Sequence, residues 1–299
     1  MKHYDVVVLT DHRYLNDSDD PYKHNVFFED QLVVEALKRE GLKTTRKAWD
    51  DKDFDWSLAN ALLFRSTWDY FDRFATFEIW LNKVSKTCRL INSEALLRWN
   101  IDKHYLADLH EKGIHIPETH YIEIGTNSNL KQLHEKLGWQ HTVLKPRISG
   151  AARHTYQLTL DTLNQHEGVF QTLIAKEAML LQAFQTHIVT KGELSLMLFG
   201  GQFSHAVLKK AKAGDFRVQD DFGGTVESYK PTPEEINFTE DAVKACPELP
   251  IYARVDIFED NYGKIALSEL ELIEPELWFR EHPEASDLLA KAIKSTLKA

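Results

Sequence analysis

Residues 252–275 read Tyr252-Ala-Arg-Val-Asp-Ile-Phe-Glu-Asp-Asn-Tyr-Gly-Lys-Ile-Ala-Leu-Ser-Glu-Leu-Glu-Leu-Ile-Glu-Pro275. Two apolar-rich alternating runs flank Asn261 and Gly263, and this pattern predicts a β-hairpin with a tight turn. The acidic residues of this hairpin carry most of the functional information in the sequence.

Alternation along a strand predicts which of these side chains share a face. Residues two apart lie on one side, so Arg254 and Asp256 point the same way, as do Glu269 and Glu271 on the return strand. If the register pairs those faces, three carboxylates converge, which is costly unless a cation joins them, and oxygen ligands suit Mg²⁺. The alternative is an edge hairpin with a solvated acidic face.

The bulk composition limits the possible function classes. The 299 residues are enough for one large domain or two to three smaller ones, and 43% hydrophobic with 27% charged residues is typical of a globular protein. A formal net charge of −10 argues against a general nucleic-acid or anionic-membrane binder, although it permits a local basic pocket.

Several common chemistries lack support in the sequence. The two cysteines, Cys88 and Cys246, provide neither a disulfide framework nor a cysteine-rich zinc site, and the fourteen histidines form no His-Glu-x-x-His pair. A Gly-x-Ser-x-Gly elbow is absent, and the apolar run within residues 1–10 is too short for a signal peptide or membrane span. We expect a reduced, cytoplasmic compartment.

The first part of the chain has a strand–helix–strand pattern. Asp5–Thr10 and Ala61–Phe64 are apolar runs, and Val26–Glu40 has helical spacing closed by Gly41. This pattern predicts half of an open parallel sheet, in which ligands lie beyond the carboxyl ends of the strands.

A polar cluster, residues 65–70, follows the third of these predicted strands. Arg65 and Ser66 are the candidate substrate residues, and the guanidinium of Arg65 could bind a substrate carboxylate through two parallel hydrogen bonds. A plain strand-to-helix turn capped by Asp69 is the alternative.

Two further segments place lysines at strand ends. Thr142–Pro146 is a predicted strand with Lys145 near its end, and the small-residue loop 147–153 after it would let backbone N–H groups approach phosphate oxygens. It is not a Walker loop, and a surface turn is the alternative. Residues 192–210 form a predicted hairpin around Gly200-Gly201 that ends on Lys209 and Lys210, which could also be solvated strand ends.

Taken in order, these motifs resemble the ATP-grasp fold. They are Asp102-Lys103, Leu144-Lys145-Pro146, Gln182-Ala-Phe184, Gly192-Glu193, Lys209, Arg217, Asp256 and Glu269-x-Glu271-x-x-x-Pro275. Within that superfamily the chain is most similar to glutathione-synthetase-like ligases, especially the O-ureido-serine cyclo-ligase group of cycloserine biosynthesis. The resemblance implies an α/β (α+β) ATP-grasp fold with an amino-terminal Rossmann-like pre-ATP-grasp domain.

The resemblance also implies the residues that bind ATP. Lys103 and Lys145 would neutralise the α- and β-phosphates. The lid over the phosphates would contain Ser149, Gly150 and Ala151. Main-chain groups would hold adenine at Gln182, Ala183 and Phe184. Glu193 would accept hydrogen bonds from the ribose.

The same resemblance implies the residues of phosphoryl transfer and metal binding. Lys209 and Arg217 would contact the transferring γ-phosphate, with Arg254 as a helper. Two Mg²⁺ ions would be bound by Asp256, Glu269 and Glu271. The family usually has Asn where this chain has Glu271, and its lid is often richer in glycine, so the geometry at the phosphates and the mobility of the lid stay open.

These features predict three regions: residues 1–92 as the pre-ATP-grasp domain, 93–180 with the lid, and 181–299 with the metal site. The predicted activity is ATP- and Mg²⁺-dependent joining of a carboxylate to an amine, or a related nitrogen nucleophile, through an acyl phosphate, acting on a small amino-acid-like substrate. Alternatives are a kinase that stops at phosphoryl transfer and a catalytically silent nucleotide-binding module. Homo-oligomers are common for this fold, and the sequence indicates no pairing surface.

Overall fold

The computed structural model describes residues 2–150, 152–212 and 223–298. Two predicted site residues, Ala151 and Arg217, lie outside these ranges. Within the described part of the chain, no helix combines the length and apolar character needed to cross a membrane.

The first sheet is parallel and contains four strands in the order β2-β1-β3-β4. Its elements are β1 (Tyr4–Thr10), α1 (Pro21–Arg39), β2 (Thr44–Ala48), β3 (Ala59–Ser66), α2 (Phe74–Val84) and β4 (Arg89–Ile91), with short 3₁₀ helices at His12–Tyr14 and Trp56–Leu58. Residues Val6 to Leu9 are fully buried, as expected for a strand covered on both faces. The prediction of an open parallel sheet is confirmed.

Helix α1 begins five residues before the predicted start at Val26. Asp20 caps it by accepting from the N–H groups of Tyr22 and Lys23, and Pro21 occupies the first turn, where its missing N–H has no consequence. The sequence predicts a polar loop through Asp20 and Pro21; the residues up to Asp20 do precede the helix, whereas Pro21 is its first residue because Asp20 caps it there.

The second sheet is antiparallel, with strand order β5-β8-β6-β7. Two connecting helices precede it, α3 (Glu94–Ile101) and α4 (Tyr105–Glu111). Its own elements are β5 (Thr119–Ile122), α5 (Leu130–Leu137), β6 (His141–Pro146), β7 (Tyr156–Thr159), α6 (Leu163–Ile174) and β8 (Met179–Ala183). The predicted boundary at residue 180 therefore falls inside β8.

Helix α5 was not among the predicted elements, although its start carries a recognisable signal. Asn129 accepts from the N–H of Gln132, and the Gln132 side chain returns a hydrogen bond to the N–H of Asn129, which together form a capping box. Gly138, with a φ of 71°, ends the helix.

The third sheet is antiparallel and has five strands in the order β11-β10-β9-β12-β13. Its elements are α7 (Thr186–Lys191), β9 (Glu193–Phe199), β10 (Gln202–Lys210), β11 (Thr225–Tyr229), α8 (Pro233–Lys244), β12 (Tyr252–Glu259), β13 (Ile265–Glu271) and α9 (Ala285–Lys298). Both predicted hairpins, β9–β10 and β12–β13, are confirmed.

One hydrophobic core joins the first and third sheets. It contains Val33 and Leu37 of α1, Tyr252 of β12, and Leu289 and Ile293 of α9, and the described side chains of this group are almost fully buried. Helix α9 packs along α1, so the end of the chain fixes the first sheet beside the third. The carboxyl ends of β1 and β3 consequently face the β12–β13 hairpin.

Candidate active site

The β12–β13 hairpin has the register that brings its charged faces together. Asp256 lies opposite Glu269, and Arg254 lies opposite Glu271. One carboxylate oxygen from each of Asp256, Glu269 and Glu271 lies within 4.8 Å of the other two. Three carboxylates at this spacing have both the oxygen donors and the proximity that Mg²⁺ needs, so the residues present fit such an ion.

Asp256 is the most strongly neutralised of the three acids. Its carboxylate accepts from Ser195 Oγ at 2.6 Å, Arg254 Nε at 3.0 Å and Lys209 Nζ at 3.1 Å. Burial alone would raise the pKa of Asp256, but Arg254 and Lys209 together lower it to about 2. Asp256 is therefore ionised and ready to bind a cation at neutral pH.

The other two acids have different environments. Lys103 Nζ lies 2.9 Å from a Glu269 oxygen, and this lysine helps to keep the pKa of Glu269 low against the effect of burial. Glu271 contacts Arg254, yet burial and the neighbouring Glu269 and Asp256 raise its pKa well above the usual range. Arg254 supplies the positive charge that a glutamate at this position requires. We call the three acids with Lys103, Lys209 and Arg254 the metal-site cluster.

Lys145, near the end of β6, has no close counter-ion among the described residues. Its ammonium forms no hydrogen bond or ion pair with the described residues, and burial, opposed by Glu269, lowers its pKa to about 8. A partly buried ammonium that faces a cavity and lacks a counter-ion is well suited to an anionic ligand.

A cavity of about 360 Å³ opens beside the metal-site cluster. It is bounded by the second and third sheets and by the loops after β1, β3 and β6. Twelve residues predicted for the site line it: Lys103, Lys145, Ser149, Gly150, Gln182, Ala183, Phe184, Glu193, Arg254, Asp256, Glu269 and Glu271.

The apolar end of this cavity lies at the segment after β8. Phe184 stacks on His141 with ring centroids 3.8 Å apart, and Ile188 and Val189 of α7 complete the wall. The N–H groups of Ala183 and Phe184 donate to the carbonyls of Glu118 and His141, and the main-chain contacts with adenine at this segment stay a prediction. The adjoining cavity residue Gln185 was missed, and its place directly after the predicted Gln-Ala-Phe motif was the available signal.

The loop after β6 is held against both neighbouring regions. Lys103 donates through its backbone N–H to the carbonyl of Arg147 at 3.0 Å and through Nζ to that of Ser149 at 2.7 Å. A methyl group added at Gly150 would lie 2.5 Å from a ring atom of Phe71, so only glycine allows this close approach. The predicted lid therefore lies against the loop after β3.

Arg65 and Ser66 lie outside the cavity wall, in contrast to the predicted substrate contact. Arg65 is only 3% exposed, and its guanidinium donates to the Pro275 carbonyl at 2.9 Å and to Asp30 at 3.3 Å. Ser66 donates to Asp30 at 2.7 Å. Both residues have internal partners because the end of β3 is covered by α1 and the segment after β13, and their contact with substrate stays a prediction.

Arg65 belongs to a group of buried or partly buried ionic residues that we call the buried charge network. Arg46 donates to Asp30 at 2.6 Å, and Arg280 donates to Glu29 at 2.6 Å. Burial raises the pKa of Glu29 to about 7. The network comprises Glu29, Asp30, Arg46, Arg65 and Arg280.

The remaining predicted residues fall into two groups. Lys209 is 3% exposed and lies behind the cavity wall, where its ammonium pairs with Glu193 at 2.6 Å and with Asp256. Glu193 also accepts from Ser268 at 2.6 Å. The predicted roles of Lys209 at the γ-phosphate and of Glu193 at the ribose stay predictions, as do those of Ala151 and Arg217 outside the described residues.

Several cavity-lining residues were missed by sequence reasoning. Arg13 and Tyr14 come from the loop after β1, Phe71 follows β3, and Glu274 follows β13. Their positions directly after predicted strands were the available signal, because ligands of such sheets lie beyond the carboxyl ends. Glu274 stands immediately before Pro275, and burial raises its pKa to about 8 although Lys103 opposes this shift.

The sequence and the fold of this chain are similar to those of known proteins. The family model of the amino-terminal domain of the D-cycloserine synthetase DcsG matches residues 6–92. The cycloserine biosynthesis protein DcsG of Streptomyces lavendulae is 28% identical over 289 residues, covering 89% of this chain and 93% of that protein. The crystal structure of D-cycloserine synthetase DcsG superposes with a TM-score of 0.86 at 24% identity, covering 98% and 99% of the two chains.

A second solved structure is more distant. The ATP-grasp ligase PsnB, in complex with a minimal precursor, Mg and ADP, superposes with a TM-score of 0.63 at 15% identity over 98% of both chains. The chain has the ATP-grasp fold. The predicted resemblance to ATP-grasp ligases and to the cycloserine group is confirmed.

Proposed function

We propose that this ATP-grasp protein is an ATP- and Mg²⁺-dependent ligase that joins a small carboxylate to an amine, or a related nitrogen nucleophile, through an acyl phosphate. The observation that carries the proposal is the meeting of Asp256, Glu269 and Glu271 beside Lys103 and Lys145 in one cavity. The similarity to DcsG and to ATP-grasp ligases supports it.

The chemistry explains why this residue set suffices. A carboxylate is a poor acyl donor because its leaving group would be oxide, whereas an acyl phosphate can be attacked by an amine with release of phosphate. Phosphoryl transfer depends on in-line positioning and charge neutralisation more than on a covalent nucleophile from the protein. The described part of the cavity correspondingly presents cations and carboxylates.

Each group of residues has a proposed task. Mg²⁺, proposed as two ions held by the three acids of the metal-site cluster, would neutralise the charge of the phosphates. Lys145 would bind phosphate oxygens with its uncompensated ammonium. The loop after β6, held by Lys103 and contacting Phe71, would exclude water from the acyl phosphate, which hydrolyses readily.

Trapping with hydroxylamine tests the proposal. Wild-type protein with ATP, Mg²⁺ and a panel of amino acids should convert hydroxylamine into a hydroxamate with stoichiometric ADP release. Accumulation of a stable phosphorylated product without hydroxamate would indicate a kinase. Binding of ATP with no ADP release for any acid of the panel would contradict the ligase.

A further inference from the structure

The cavity extends from the metal-site cluster to a second wall built by the loops after β1 and β3. Tyr14 and Trp68 line this wall with ring centroids 5.4 Å apart, and Phe71 lies beside the Gly150 loop. Glu274, three residues after Glu271, connects this aromatic wall to the acids of the hairpin. A molecule lying here would be next to the metal-site cluster and remote from Phe184.

Glu274 is held in place from two sides. Its backbone carbonyl accepts from Trp68 Nε1 at 2.8 Å, and its carboxylate accepts from the hydroxyl of Tyr70. The following carbonyl, of Pro275, accepts from Arg65. Residues that follow β3 thus position the carboxylate of Glu274, after β13, at the cavity wall. Arg65 lies outside the cavity and holds the adjoining Pro275 carbonyl.

Glu274 has no cation in direct contact among the described residues, and burial therefore favours the neutral form of its carboxyl group. No lysine or arginine among the described residues forms an ion pair with it, and its hydrogen-bond partner Tyr70 is neutral. Glu276, the next acid along the chain, contacts Arg280 and differs in this respect. Ionising a partly buried carboxyl group without a neighbouring cation is unfavourable, and a cationic group on a ligand would stabilise the ionised form.

We propose that Glu274 receives the ammonium group of an amino-acid substrate, with the Trp68 ring beside it, and thereby makes the cavity selective for carboxylates that carry an amine. An ammonium has three donors for the carboxylate and is attracted to the face of a tryptophan ring. The inference rests on the proposed function for the carboxylate that is activated, and adds the residue that recognises the amine of an amino-acid-like substrate.

Equilibrium binding tests the inference without turnover. Calorimetric titrations in MgADP would compare L- and D-alanine and L- and D-serine with the corresponding 2-hydroxy acids, lactate and glycerate. Wild-type protein should bind at least one amino acid about tenfold or more tightly than its hydroxy counterpart, because a charge-assisted contact is lost. Glu274→Gln should remove most of this preference, and Glu274→Asp, which retracts the charge, should remove part of it.

Glu78→Gln, at an exposed position of α2, should retain the wild-type preference. Equal binding of amino and hydroxy acids, binding of none of the four amino acids, or an unchanged preference in Glu274→Gln would overturn the inference. Selective amino-acid binding without any hydroxamate formation would instead contradict the proposed ligase and leave this assignment intact.

Discussion

The metal-site cluster and the buried charge network contain the same residue types and lie at neighbouring positions, yet they differ in one physical respect. In the buried charge network, Arg65 and Arg46 both donate hydrogen bonds to Asp30, and Arg65 also donates to the Pro275 carbonyl. The metal-site cluster borders a cavity, and beside it Lys145 has no counter-ion among the described residues. Open access and incomplete compensation distinguish a ligand site from an internal ionic network.

The largest expected effect is the loss of turnover when a carboxylate of the metal-site cluster is removed. Glu269→Gln keeps the shape of the side chain but removes a carboxylate from the predicted metal site, so hydroxamate formation should fall about a thousandfold. The circular dichroism spectrum should remain that of the wild type, because the fold does not depend on this charge. Wild-type rates in this variant, with Glu78→Gln as the control, would remove the metal assignment.

The second effect is a loss of stability when the buried charge network is disrupted. Arg65→Met leaves Glu29 and Asp30 partly uncompensated inside the protein, so the free energy of unfolding should fall by about 3 kcal/mol. Urea denaturation followed by circular dichroism measures it. If the variant kept wild-type stability but lost substrate binding, Arg65 would be assigned to substrate binding and not to the stability of the fold.

These two groups of charged residues also show how far the sequence alone can be interpreted. Alternation on β12 and β13 is a local property, and it correctly placed Arg254 and Asp256 on one face opposite Glu269 and Glu271. Arg65 was placed at the end of its strand correctly, but its partners come from α1 and from Pro275, which lies 210 residues away in the chain. Local patterns do not encode which distant segment covers a strand end.

Glu274 illustrates the same boundary between local and distant information. Its position after β13 was visible, whereas the contacts that set its environment come from Trp68 and Tyr70 of the first sheet. Helix α5 is the opposite case, because its capping box lies within four residues and could have been identified. Contacts within one element are predictable, and contacts between sheets require the packed structure.

A third, smaller effect separates ligand binding from stability at a single lysine. Lys145→Met should weaken MgATP binding roughly 10- to 100-fold, because a charge-assisted contact to phosphate is lost. Its free energy of unfolding should not fall, since the wild-type ammonium has no partner to lose. Calorimetry and urea denaturation measure the two quantities, with the exposed Lys176→Met as the control. A large loss of stability would place Lys145 in a structural network.

The smallest effect is the pH dependence of that same contact. Burial lowers the pKa of Lys145 from 10.5 to about 8, so the ammonium is present below pH 8 and is progressively lost above it. Below pH 8 the free protein already carries the charge that phosphate prefers. Above pH 8 the lysine must take up a proton when MgATP binds, so the affinity should fall by up to about tenfold per pH unit. Calorimetric titrations between pH 7 and pH 9.5 would show this decline in the wild type and a flat profile in Lys145→Met. An equal decline in both proteins would assign the titration to another group. Phosphate binding beside the metal-site cluster would then depend on Lys103 and the metal.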